Sequence, residues 1–121
     1  MSNEGWIGVD LDGTLALYDE WVAPDHIGKP IWAMVRRVQQ WLADGKQVRI
    51  FTARISREDQ AALAREAIEA WCMEHVGEVL PITNIKDQHM IELWSNRCVQ
   101  VEKNTGHRLV PIRIGMPEER Y

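Results

Sequence analysis

The stretch "WIGVDLDGT" (residues 6–14) decides the fold, because an apolar run ends there in two carboxylates two positions apart and breaks at once into Gly-Thr. Trp6, Ile7, Gly8 and Val9 read as a short buried strand, bounded by Gly5 and the acidic pair. Side chains in extended backbone alternate with a period of two, so Asp10 and Asp12 leave the strand pointing the same way. Two carboxylates that face one site repel, and a cation or a proton relieves them. Gly13 lets the chain turn sharply, and Thr14 offers a hydroxyl to anchor the turn. Taken alone, the pattern is also that of an Asp-Gly turn closing a strand.

The segments downstream supply a context for it. Ile31, Met34, Val35, Val38, Trp41 and Leu42 recur at helical spacing, with Pro30 in the position of a first turn and Gly45 at the end. "QVRIFTA" (47–53) is β-branched and aromatic, with Val48 and Ile50 on one face. Ser56 and Asp59 resemble a capping box, opening a second helix that runs to about His75 and stops at Gly77. Its Ala61, Ala64, Ala67 or Ile68 and Trp71 form a face suited to lie against a sheet. A third strand is expected around 81–85 and a fourth at "MIELW" (90–94). Beyond them Val99 and Val101 alternate, as does the run 109–114, on either side of the turn signal Asn104-Thr105-Gly106. Strand, helix, strand, helix, strand predicts an α/β fold: a Rossmann-like three-layer sandwich with a mainly parallel central sheet, covered on both faces. At 121 residues the chain is expected to form a single domain, 1–121. Residues 15–29 mix aromatics with Asp, Pro and Gly and are expected to form a flap.

Composition narrows the function. With 45% hydrophobic and 26% charged residues, the chain has the balance of a soluble globular protein. A formal net charge of -4 argues against a protein whose main partner is nucleic acid, since phosphate neutralisation needs clustered Lys and Arg. Cys72 and Cys98 have no ligand spacing and read as buried free thiols of a reducing compartment. The start "MSNEGW" lacks signal-peptide character and no apolar run is long enough for a membrane span, so a cytoplasmic location is expected. His26, His75, His89 and His107 show no metal-ligand spacing.

In a parallel sheet, ligands gather beyond the carboxyl ends of the strands. Asp10 and Asp12 follow the first expected strand, Thr52 and Arg54 the second, and Lys86 the third, which predicts three polar clusters at one edge. Mg²⁺ suits the acidic pair, because it favours carboxylate oxygen and keeps waters or substrate phosphate in its other positions. Arg54 has two partners open to it, a phosphate or Glu58. Trp21 can stack on a ligand ring or pack within the flap.

These motifs resemble those of the haloacid dehalogenase-like superfamily. Asp10-Leu11-Asp12-Gly13-Thr14 is similar to its first motif, "RIFTAR" with Thr52 to its second, and Lys86 in "TNIKD" to its third. The resemblance spans residues 6–102 and implies a small phosphatase without a large cap. It implies that Asp10 attacks phosphorus to give an aspartyl-phosphate, and that Asp12 acts as general acid and base. Thr52 and Lys86 would hold the phosphoryl oxygens, and Mg²⁺ would be bound by the Asp10 carboxylate and the Asp12 backbone carbonyl, with Asn96 in the fourth-motif place. The fourth motif departs from the pattern. Where the family supplies one or two aspartates, the chain reads Ser95-Asn96-Arg97, which leaves Asn96 as a neutral ligand, with Asp87 and Glu92 as nearby acids. The layout is also similar to the phosphatase domain of polynucleotide kinase/phosphatase enzymes. The implied partner is a phosphorylated small molecule or a nucleic-acid end, hydrolysed as a phosphomonoester. The alternative is a catalytically weakened domain that binds a phosphorylated ligand or a protein.

Overall fold

The computed structural model describes residues 5–109. Strand β1 (Trp6–Asp10) is followed by helix α1 (Trp32–Ala43), strand β2 (Gln47–Phe51), helix α2 (Glu58–His75), and strands β3 (Ile82–Thr83) and β4 (Met90–Trp94). The four strands make one sheet in the order β3-β2-β1-β4, and every neighbouring pair is parallel. The α/β, Rossmann-like parallel sheet is therefore as the sequence predicts.

The layering differs from the expectation. Ile7 stands opposite Val48 and Val9 opposite Ile50, and these four join the buried side chains of both helices, Met34, Val35 and Val38 of α1 and Ile68, Trp71 and Cys72 of α2, in one core. The helices lie side by side: Gln39 Nε2 donates to the Val76 carbonyl at 3.0 Å, and the Trp32 and His75 rings meet at 6.2 Å. The physical reason is handedness. β1, β2 and β3 advance in one direction, and each right-handed crossover then returns over the same face. The link from β3 to β4 holds no helix, so the described residues form two layers.

Local chemistry explains the other departures. Ile31, in extended conformation, is the N-cap of α1, and Pro30 sits outside the helix in a bridge to Ala16. The Ser56/Asp59 capping box does not form; Arg57 precedes the first turn of α2 and no side chain caps it. Ser56 instead closes a single 3₁₀ turn over Ala53–Ile55, its hydroxyl accepts from Asn84 Nδ2 at 3.3 Å, and Asp59 takes the Arg57 guanidinium. β3 is shorter than expected because the Thr83 hydroxyl accepts from the Ile85 amide at 3.0 Å, turning the chain out of the sheet. After β4, Val101 and Arg108 form an antiparallel bridge around a turn with Asn104 and Gly106 at positive φ; residues 110–114 of the expected run lie outside the described residues. Cys72 is buried as expected, whereas Cys98 is exposed.

Candidate functional site

β1 is the point where strand order reverses, with β2 on one side and β4 on the other. In open parallel sheets the crevice beyond the carboxyl ends at such a point is where ligands bind. The chain places Asp10 at the end of β1, Thr52 directly after β2, and Ser95, Asn96 and Arg97 directly after β4. A cavity of about 340 Å³ opens there, bordered by Asp10, Asp12, Thr52, Arg54, Asn96 and Arg97, with Tyr18 and Trp21 of the flap, Arg57 at the N-cap of α2 and Gln60 in its first turn.

The turn that carries the acids is built by one carbonyl. Leu11 oxygen accepts from the amides of Thr14, Leu15 and Ala16, and the Gly13 amide donates to Ala16 oxygen. Leu15 and Ala16 are fully buried and anchor the turn. Gly13 has φ +86, and a Cβ there would meet the Asn96 side chain at 2.7 Å, so both backbone and space favour glycine. Thr14 does anchor the turn, but to the loop after β4: its hydroxyl donates to Asn96 Oδ1 at 3.1 Å and accepts from the Asn96 amide at 2.9 Å.

The two carboxylates have different surroundings. Asp10 Oδ2 accepts from the Ser95 hydroxyl at 3.0 Å. Burial pushes its pKa up, and the charge of Asp12 adds to this, while the Ser95 hydroxyl, the Leu11 amide and the Arg97 charge act in the opposite sense. Asp12 is held by Arg54 in a bidentate pair, with Nε to Oδ2 at 2.8 Å and Nη2 to Oδ1 at 2.9 Å. The Arg54 side chain is only 4% exposed. Its remaining terminal nitrogen donates to the Ala23 and Pro24 carbonyls at 3.1 and 2.9 Å, and the guanidinium lies 5.0 Å from the centre of the Trp21 ring. Of the two partners open to Arg54 in the sequence, Glu58 is not the one it pairs with: the guanidinium joins Asp12 to the flap while bordering the cavity.

Thr52 borders the cavity while 3% exposed. Its oxygen accepts from the Arg54 amide at 3.1 Å, which leaves the hydroxyl hydrogen free to donate.

Lys86 does not join this group. It borders a separate groove with Ile91, Leu93, Ser95 and Cys98. A parallel sheet requires the chain to return from the carboxyl end of β3 to the amino end of β4, and Lys86 lies on that return, whose residue Asp87 already bonds Trp6 at the opposite edge. Asp87 accepts from Trp6 Nε1 at 2.9 Å and from the His89 amide at 2.8 Å, and these bonds hold its carboxyl below the usual range. Glu92 accepts from Trp94 Nε1. Neither acid borders the cavity.

Both Asp12 carboxylate oxygens accept from Arg54, the Asn96 side-chain carbonyl accepts from Thr14, and Asp10 Oδ2 accepts from Ser95. The Asp10 carboxylate and the Asp12 backbone carbonyl are the oxygens that would hold a Mg²⁺ ion, which takes one or two carboxylates and keeps waters or phosphate in its other positions. Among the described residues no three His, Cys, Asp or Glu cluster to hold a metal ion. Beside the acids, Arg97 brings positive charge and Thr52 a free donor, groups suited to an anion.

Sequence reading missed Ser95 as the contact of Asp10, and Arg57, Gln60, Arg97 and Tyr18 as lining residues. Asp10 stands opposite Phe51 in the parallel register, so two neighbouring strands leave the sheet together and bring residues 12 and 54 side by side.

No helix among the described residues is long and apolar enough to cross a membrane. No family model matches the sequence, and no curated protein or solved structure matches it either.

Proposed function

We propose that the chain is a phosphomonoester-binding domain of the haloacid dehalogenase-like type in which hydrolysis is curtailed. The observation that carries this reading is the pair of contacts around the acids: the Ser95 hydroxyl occupies Asp10 at 3.0 Å, and Arg54 occupies both oxygens of Asp12. A phosphoryl group entering the cavity meets Thr52 and Arg97 as donors. Burial raises the Asp10 pKa from its ordinary value, and the Ser95 hydroxyl, the Leu11 amide and the Arg97 charge oppose this.

Calorimetric titration of the full chain with inorganic phosphate and 4-nitrophenyl phosphate, with and without Mg²⁺, tests this. Binding that Mg²⁺ does not strengthen, with negligible release of nitrophenol, is expected. Ser95→Asp and Asn96→Asp are then expected to create a Mg²⁺ dependence absent from the parent chain. Absence of phosphate binding under every condition would sink the reading.

The second reading is the Mg²⁺-dependent phosphomonoester hydrolase itself, favoured by the placement of Asp10, Asp12 and Thr52 around one cavity at the switch point. Here Asp10 attacks phosphorus as the ester P–O bond breaks, Asp12, once parted from Arg54, gives its proton to the leaving oxygen, and Asp12 then takes a proton from the water that frees phosphate from Asp10. Mg²⁺ would supply charge neutralisation. Nitrophenol release that requires Mg²⁺ and disappears in Asp10→Asn would establish this reading over the first.

A further inference from the structure

The cavity holds more than a phosphate site, and its outer wall differs in chemistry from its floor. Thr52 and the acids lie at the ends of the strands, the floor of the cavity, and Arg97 in the exposed loop after β4, whereas Tyr18 and Trp21 come from the flap. These two aromatic side chains are 44% and 48% exposed, so each presents much of its ring to solvent. Trp21 is also held in place. Arg54 lies against it at 5.0 Å, and the same guanidinium is fixed by Asp12 on one side and by the Ala23 and Pro24 carbonyls on the other.

A half-exposed indole clamped by a buried cation is an aromatic platform whose ordering cost is already met before a ligand arrives. The cavity of about 340 Å³ is larger than an inorganic phosphate needs and falls within the ~300–1,000 Å³ range of small-molecule pockets. We infer that the cavity selects phosphomonoesters whose alcohol carries an aromatic ring, with the phosphoryl group toward Thr52 and Arg97 and the ring against Trp21 and Tyr18. This inference rests on the phosphate reading above and adds the class of ligand. A nucleobase and a simple aryl group share the chemistry that such a wall recognises, since both present a flat π face.

Calorimetry on the full chain separates the possibilities. Inorganic phosphate and glycerol 1-phosphate report the floor alone, phenyl phosphate adds an aryl ring, and adenosine 5'-monophosphate adds a nucleobase. Either ring-bearing ligand is expected to bind at least about fivefold more tightly than glycerol 1-phosphate, the low end of what one stacked ring contributes. In Trp21→Ala that ratio is expected to fall to about one, and in Trp21→Phe, which restores a ring, to recover. Tightening by phenyl phosphate alone assigns the wall to aryl phosphates, and tightening by the nucleotide alone assigns it to nucleotides. Equal affinity for ringed and ringless phosphates, or an unchanged ratio in Trp21→Ala, overturns the inference and leaves the phosphate reading standing. No binding of any phosphate overturns both.

Discussion

Arg54 shows how one side chain is determined by what surrounds it rather than by its own motif. Its bidentate pair with Asp12 is largely removed from water, the case in which deleting one partner leaves an uncompensated charge. Arg54→Met is therefore expected to destabilise the fold by about 3 kcal/mol, read from urea unfolding. Combined with Asp12→Asn, the loss is expected to be smaller than the sum of the two single changes, because the stranded charge is then gone. Asp10 carries a different signature. Its folded pKa lies above the ordinary 3.8, so the native state binds more protons than the unfolded chain through that interval. The stability Asp10 contributes is full below 3.8 and is lost as pH rises through the folded value. Unfolding followed across pH is expected to show Asp10→Asn gaining on the parent protein as pH rises above about 4, with the gap closing in stronger acid. A parent chain that gains stability relative to the variant over that interval would contradict the raised pKa.

Among the elements, the flap is the one whose order depends most on its neighbours. Its base is closed by the Leu17 amide on the Lys29 carbonyl and the Ile31 amide on the Leu15 carbonyl, each at 2.8 Å. Trp71 of α2 donates from Nε1 to the Gly28 carbonyl at 2.9 Å, and Arg54 holds the opposite side through Ala23 and Pro24. Gly28 is required by space: a Cβ there would fall on the Leu17 carbonyl oxygen, which is backbone and cannot swing aside. Gly28→Ala is expected to cost about 1–3 kcal/mol and to open the base of the flap, seen as faster amide hydrogen exchange at Leu17. The helices were more legible. The helical spacing from Ile31 to Leu42 found α1 to within its ends, and the buried Ala64, Ile68 and Trp71 of α2 lie on the face expected of it. The capping box failed because a serine hydroxyl satisfies whichever partner lies nearest, and here that partner is Asn84, 28 residues away in sequence.

At the scale of the whole molecule, the core reports through Cys72. Burial raises this thiol to about 11, while Cys98 stands in solvent. A thiol reagent at neutral pH is expected to label Cys98 at once and Cys72 only as fast as the fold opens, measured by mass of the labelled chain. Prompt labelling of both would mean that α2 does not seal the core. The sequence by itself determined the parallel α/β fold and the central place of Asp10, Asp12 and Thr52, because hydrophobic period and strand-end polarity are local properties of the chain. It did not determine the two-layer arrangement, the distance of Lys86 from the acids, or the Asp12–Arg54 pair. Those depend on the handedness of successive crossovers, on the path by which the chain returns from β3 to β4, and on which side chains the register brings together. Only the tertiary structure decides them, because each is a relation between segments that no single segment encodes.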